Sequence, residues 1–381
     1  MLDFELSEEQ RMVQDMARRF AQEEVAPQCE KWNEEDYFPY DLNARLSELG
    51  LSGIAIPEEY GGTDQGVLTE ELVTEELARV DDGFAQTFHM QGLMADMINQ
   101  FGSEDQKKKL LPTIVAGENP AFALTEPGAG SDASAIVTRA ELKNGEWVIN
   151  GAKMFITNAG LKTCTWLVLM CVTGQKDDGR KEISAIIVPK DAPGLTVGKN
   201  IRKIGWHNLD NRELIFEDCR VPEESLLGKR GKGIAAALYT LDKGRIDFGA
   251  LAVGMAQGSL DLALVHAKER VQFGKPIGKN QAISFKLADM AMEVELGRNM
   301  YYKTAWMRDN GKPHTPEAAM TKLYTSEMAK RVIDHAMQIF GGYGFTLEYP
   351  ISRFYRNIKI YEVGEGTSEI QRIVIARSLG L

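Results

Sequence analysis

Between residues 119 and 227 the chain changes texture, and that block narrows the possible folds more than any other feature. EWVINGAKMFI, TWLVLMCV, EISAIIVP and RELIFEDCRVP are short, rich in Val, Ile, Phe and Trp, and parted by Gly, Asn and Asp. Such runs predict strands with mostly antiparallel connections. Either side reads as helix. Ser7 with Gln10 predicts a capping box before RMVQDMARRFAQEEV, TEELVTEELARV carries the 3.6-residue period, and Ile283, Leu287, Met290 and Val294 mark one apolar stripe. No proline falls between Pro222 and Pro276, which leaves room for a long helix. Thr315 is expected as an N-cap, with Pro316 at the first helical position. IPEEYGGTDQG (56–66) is a turn-rich connector. The expected fold is α+β and multidomain, with an N-terminal helical domain over 1–118, a central antiparallel β-domain over 119–227, and a C-terminal four-helix bundle over 228–381.

Composition excludes several functions. With 55 acidic against 44 basic residues the net charge is −11, unsuited to nucleic acid as the main partner. Cys29, Cys164, Cys171 and Cys219 form no CxxC pair, and the five histidines form no HxxxH pair. Neither a disulfide scaffold nor a zinc site is expected, and each histidine reads as a packed or surface residue. The N-terminus lacks a basic, then apolar, signal pattern, and the longest apolar run, WLVLMCV, is far shorter than the roughly 18–20 residues of a membrane span. A cytoplasmic protein is expected.

Two stretches carry chemistry by composition. FALTEPGAGSDASA (122–135) sets Gly128 and Gly130 among Thr125, Ser131 and Asp132, a pattern that permits close backbone approach by a ligand and equally suits a plain β-turn. GAKMFITNAG (151–160) ends a strand with an aromatic, then Thr157 and Asn158. KIYEVGEGTSEIQR (359–372) places Glu362, Glu365 and Glu369 within fourteen residues, either as a solvated helix start or with one of them a buried base. GGYG follows a helical pattern rather than a strand, so a Rossmann reading fails its context.

These stretches, with LDKGR (241–245), RVQFGKPI (270–277), QAISFKLADM (281–290), QIFGGYGF (338–345) and GEGTSEIQR (364–372) in order, resemble the acyl-CoA dehydrogenase family over nearly the whole chain. The resemblance implies FAD as cofactor. Phe122, Leu124, Thr125, Gly130 and Ser131 would bind the isoalloxazine and ribityl part, with Ser131 facing the pyrophosphate or acyl-CoA. Phe155, where many members carry Trp, would pack on the flavin face beside Ile156, and Thr157 would bond its N5 edge. Arg270, Phe273 and Gln281, with Gln338, Ile339, Gly341 and Gly342, would meet the adenine and diphosphate end across a subunit boundary, and Thr367 and Glu369 would also meet FAD. Asp242 and Arg245 would bind acyl-CoA, as would Gly364 and Gly366 beside the thioester.

The implied reaction removes the α-proton of an acyl-CoA and passes the β-hydride to the flavin. Aligned on GTSEIQR, the base is Glu365. Some relatives place it at the position of Gly244, where a glycine cannot serve. Glu362 then reads as a turn residue, and Glu369 as an acid favoured at a helix N-terminus. The resemblance implies electron-transferring flavoprotein as electron acceptor and a homotetramer built as a dimer of dimers. An oxidase, an enoyl-CoA reductase and an inactive assembly protein stand as alternatives. The wall 83–102 contains no Arg or Lys, so dicarboxylyl groups are expected to bind poorly. Straight-chain relatives commonly carry Tyr where this chain has Gly364. That glycine either opens the pocket to a branched or cyclic acyl group, or supplies a backbone angle while a neighbour fills the gap.

Overall fold

The computed structural model describes residues 5–381. The chain opens with helices α1 (Glu8–Phe20), α2 (Cys29–Glu35), α3 (Tyr40–Glu48), α4 (Gly66–Ala78), α5 (Asp82–Phe101) and α6 (Glu104–Val115). The Ser7 hydroxyl accepts from the Gln10 N–H and the Gln10 side chain accepts from the Ser7 N–H, so the expected capping box forms. α4 and α5 are buried almost all round, and so carry Glu70, Glu71, Glu75 and His89 into the interior.

The β-rich block forms β1 (Ala121–Ala123), β2 (Arg139–Lys143), β3 (Glu146–Thr157), β4 (Trp166–Gln175), β5 (Lys181–Pro189), β6 (Leu195–Asn200), β7 (Asn211–Pro222) and β8 (Leu226–Leu227). They lie in one sheet of order β6-β7-β3-β2-β4-β5-β8, with β1 added parallel to β4. The other pairings are antiparallel except a single parallel contact of β2 with β4. β3 slips register against β7 between Lys153 and Ile156.

α7 (Gly233–Glu269) fills the proline-free stretch. A hairpin of β9 (Val271–Gln272) and β10 (Lys275–Pro276) leads to α8 (Gln281–Asp309), α9 (Thr315–Phe340), α10 (Ile351–Asn357) and α11 (Ser368–Ser378). α7 packs against α4, α5, α8 and α9. By length and composition it could cross a membrane, yet 72% of its most apolar stretch is buried inside the fold, which marks the core helix of the bundle. Met290 and Val294 are buried, with Ile283 and Leu287 packed against the same core. One expectation is corrected: His314 occupies the N-cap of α9 and Thr315 is already helical. The Thr315 hydroxyl instead donates to Asp242, so a tertiary partner took the side chain that capping would have used.

Candidate active site

The three glutamates of the 359–372 stretch separate into distinct roles. Glu362 ends a short 3₁₀ turn, where Lys330 bonds it at 3.1 Å and Lys359 at 2.5 Å. Partial burial works against its charge, but the two lysines outweigh it and hold the carboxyl below its usual range. Glu369 is exposed in the first turn of α11, held below its usual range by the backbone of the helix start and by Thr367. Thr367 is the N-cap, accepting from the Ile370 N–H at 3.3 Å.

Glu365 differs from both. Its Oε2 is buried and without a hydrogen-bond partner. Burial raises its pKa above the usual carboxylate range; His89 is the strongest opposing influence, Asp247 adds to the rise, and Lys322 and Arg245 oppose it more weakly. Its φ of +51° lies in the left-handed region, which costs a non-glycine residue about 1–3 kcal/mol unless its surroundings enforce it. The enforcement is visible. Gln371 Nε2 donates to the Glu365 carbonyl at 3.0 Å and to the Gly366 carbonyl at 2.8 Å, and Lys322 Nζ donates to the Gly366 carbonyl at 2.7 Å. Burial pushes Lys322 down to about 8. Sequence reasoning missed both clamps. Gln371 had a signal, since it lies inside the GTSEIQR stretch; Lys322 is one lysine in a helical pattern and had none.

Gly364, before Glu365, does not have a left-handed backbone, so it supplies no special angle. A β-carbon there would instead meet the Phe248 ring at 3.2 Å. A neighbour does fill the gap. Gly366 has φ of +84° and needs its glycine for that reason. Asp242 and Arg245 pair with each other at 2.6 Å one turn apart on α7, Arg245 being buried.

In the β-domain, the register slip in β3 sets Phe155 at φ +60° and leaves its ring 58% exposed, while Ile156 is buried. A bulge of this kind re-aims one side chain out of the sheet's alternation. Asn211 holds the turn by donating to the Phe155 carbonyl at 3.0 Å and to Thr157 at 3.3 Å. The 122–135 loop is fixed by a pair that the sequence did not announce. Lys153 Nζ lies 2.8 Å from Glu126 Oε1 and from the Leu124 carbonyl, and Glu126 also accepts from the backbone of Val137 and Thr138. Phe122, Leu124 and Thr125 are half-buried, Gly130 and Ser131 exposed, and nothing lies within 4 Å above Gly128 or Gly130.

At the far end of the bundle, Arg270, Ile339, Gly341 and Gly342 line one cleft of about 580 Å³, with Tyr343 under the Arg270 guanidinium at 5.2 Å. Gln338 is exposed on the last turn of α9, Gln281 is exposed at the start of α8, and Phe273 is 98% exposed at the turn of the β9–β10 hairpin. No group of His, Cys, Asp or Glu among the described residues could hold a metal ion.

The chain is thus helical, β, then helical, with a buried carboxylate on a strained, doubly clamped loop. It matches the family models for the acyl-CoA dehydrogenase N-terminal domain over residues 7–118, middle domain over 121–219 and C-terminal domain over 231–380. The chain belongs to the acyl-CoA dehydrogenase family. It is 43% identical to acryloyl-CoA reductase (NADH) of Anaerotignum propionicum, over 99% of this chain and 96% of that one. Butyryl-CoA dehydrogenase of Megasphaera elsdenii superposes with a TM-score of 0.96 at 41% identity over the whole of both chains. A chain in the structure described as the electron transferring flavoprotein of Acidaminococcus fermentans, concerned with flavin-based electron bifurcation, gives 0.96 at 45% identity over 99% of each.

Proposed function

We propose that the protein is an FAD-dependent acyl-CoA dehydrogenase in which Glu365 takes the α-proton of a short-chain acyl-CoA. The observation that carries this is the Glu365 carboxylate, buried, unpartnered at Oε2 and fixed by bonds to its own backbone. Removing a weakly acidic C–H needs a base in a dry site held close to the carbon. The Glu365 loop supplies both.

The residues present fit a flavin. Phe155 offers an exposed aromatic face where a bulge turns it outward, the space above Gly128 and Gly130 is open, and the cleft at Gly341 and Gly342 carries Arg270 for a diphosphate. In this reading Phe122, Leu124, Thr125, Gly130, Ser131, Phe155, Ile156 and Thr157 hold the ring end. Arg270, Phe273, Gln281, Gln338, Ile339, Gly341 and Gly342 hold the nucleotide end, and Thr367 and Glu369 complete the site. Bound FAD supplies the acceptor for the β-hydride. Asp242, Arg245, Gly364 and Gly366 orient the thioester.

The exposed Phe273 and Arg270 support a homotetramer in which one subunit's hairpin closes its neighbour's nucleotide site. The likeness to a chain from an electron-transferring-flavoprotein structure supports such a flavoprotein as acceptor, and the four buried, unpaired cysteines fit a cytoplasmic setting. The likeness to butyryl-CoA dehydrogenase supports a short acyl group. Lys243, beside Gly244, is already surrounded by Glu70, Glu71 and Asp247, which argues against it as a partner for a distal carboxylate. The similarity to a reductase keeps the reverse direction as a second reading. Anaerobic titration with straight, branched, cyclic and dicarboxylic acyl-CoAs tests the proposal. Bleaching of the flavin by butanoyl-CoA is expected, and absence of bleaching by every acyl-CoA would overturn it.

A further inference from the structure

α4, α5 and α7 enclose a cluster of charges that the reaction as described does not use. His89 on α5 is fully buried and its Nδ1 lies 2.6 Å from Asp247 Oδ2 on α7. Lys243 Nζ stands 3.0 Å from Asp247 Oδ2 and 3.0 Å from Glu70 Oε2, with Glu71 Oε1 at 3.8 Å. Burial alone would favour the neutral acid, but Lys243 overrides it and keeps Asp247 ionised. An ionised carboxylate only accepts, so His89 Nδ1 is the donor of that bond. Its other nitrogen, Nε2, is buried with no partner.

Contacts along one helix–helix interface link this imidazole to Glu365. Asp247 lies one helical turn beyond Gly244, and the β-carbon position of Gly244 is 2.7 Å from Glu365 Oε2 and 3.6 Å from Leu93 Cδ1. Leu93 is one turn beyond His89 on α5, so the 93/244 and 89/247 contacts are successive rungs of one helix–helix interface. Phe248 closes the triangle: its ring packs edge-on to His89 at 5.9 Å and touches the β-carbon position of Gly364. Two buried polar atoms without partners, His89 Nε2 and Glu365 Oε2, therefore occur in one small region where an unmet polar group costs about 1–3 kcal/mol.

We propose that His89 is a positioning residue for the base: anchored through Nδ1 on Asp247, it turns Nε2 towards Oε2 of Glu365 and, when protonated, holds that carboxylate ionised and ready for the α-proton. The inference rests on the assignment of Glu365 as base. The other charges around this pair are Glu70 and Glu71 from α4, Asp96 further along α5, Lys243 and Arg245 from α7, and Lys322 from α9. Lys322 is committed to the Gly366 carbonyl and Arg245 to Asp242 through Nη1, although Arg245 Nε, like His89 Nε2, is buried without a partner. Burial pushes Glu71 well above its usual range.

The test is His89→Asn, whose amide can still donate to Asp247 while the Nε2 end is removed. kcat/KM for butanoyl-CoA is followed from pH 5.5 to 9 in flavin-loaded enzyme. In parallel, ionisation of a non-oxidisable acyl-CoA with an acidified α-proton is read by its long-wavelength absorption. The charge that favoured ionised Glu365 is lost, so the acid limb of both profiles should move up by at least ~1 pH unit. Activity on that limb should fall about tenfold, with a smaller loss on the alkaline plateau. A loss equal at every pH with the limb unmoved would show packing alone, and a change confined to KM with acyl-chain length would show an acyl contact; either overturns the inference. His89→Gln, judged by the same limb, replaces the asparagine variant if that fails to fold. Glu365→Gln runs alongside: if it keeps turnover, the base assignment itself falls, whereas an inactive Glu365→Gln with an unmoved limb in the His89 variant removes only this inference.

Discussion

A β-carbon added to Gly244 would stand 2.7 Å from Oε2 of Glu365. Helix α7 and the loop before α11, more than a hundred residues apart in the chain, thus converge on one point in space. A side chain at 244 and the Glu365 carboxylate therefore compete for one space. Gly244→Ala should fold with little loss of stability, because the atom it meets is the end of a flexible side chain. Turnover should still drop at least tenfold as Glu365 is displaced, since ~1 Å of misplacement can cost about 10² in rate. Thermal melting and kcat on butanoyl-CoA check the two halves.

Glu365→Gln should retain FAD and bind acyl-CoA while losing ~10²–10⁴-fold in kcat, the usual contribution of a positioned base. Glu362→Gln should stay near wild type, since Glu362 is spent on Lys330 and Lys359 at the surface. The reverse pattern would overturn the choice among the three glutamates.

The Phe248 ring fills the direction in which a side chain at 364 would point. Gly364→Ala should leave the ratio of kcat/KM for cyclohexanecarbonyl- to butanoyl-CoA within about threefold. Phe248→Ala should raise that ratio by roughly 10-fold or more, since a hydrophobic pocket discriminates by ~1–3 kcal/mol per methylene-sized change. A large shift from Gly364→Ala instead would restore Gly364 as the residue that opens the pocket.

Asp82 accepts from the Trp206 indole, from Asn357 at 2.7 Å and from Tyr361 at 3.3 Å, tying α5 to the turn that leads into the Glu365 loop. Burial pushes it up to about 6 from an ordinary 3.8. The folded state therefore binds this proton more tightly than the unfolded chain, and the associated stability is fully present below about pH 3.8 and lost as pH rises through about 6. Asp82→Asn should flatten the fall in stability between pH 4 and 6.5 by on the order of 2 kcal/mol. Denaturant unfolding of both proteins at several pH values measures it; equal slopes would show that Asp82 does not carry this pH dependence.

Phe273 is nearly fully exposed, with φ of +51°, at a hairpin tip. The native protein should run as a tetramer in light scattering. Phe273→Ser and Arg270→Ala should weaken FAD retention and shift mass towards smaller species together. A wild-type monomer that keeps FAD at low concentration would contradict the shared nucleotide site.

The sequence alone determined the broad order of elements and singled out Glu365 as the candidate base. Strands and helices announce themselves through local periodicity, so β3, β4, β5 and β7 were readable, as was the long helix α7 in the proline-free stretch. The short strands β1, β2, β6 and β8 were not, because two to six residues carry too little pattern and exist only by pairing with a longer neighbour. Glu365 was found because its motif is contiguous. Most of what surrounds it was not: Lys322, His89 and Asp247 come from other helices, and a lone lysine or histidine inside an apolar helix looks the same in sequence whether it braces a loop or merely packs. Thr315 likewise read as a cap until Asp242, seventy-three residues away, claimed its hydroxyl. Burial and charge at a point are sums over residues distant in the chain, and only the tertiary structure performs that sum.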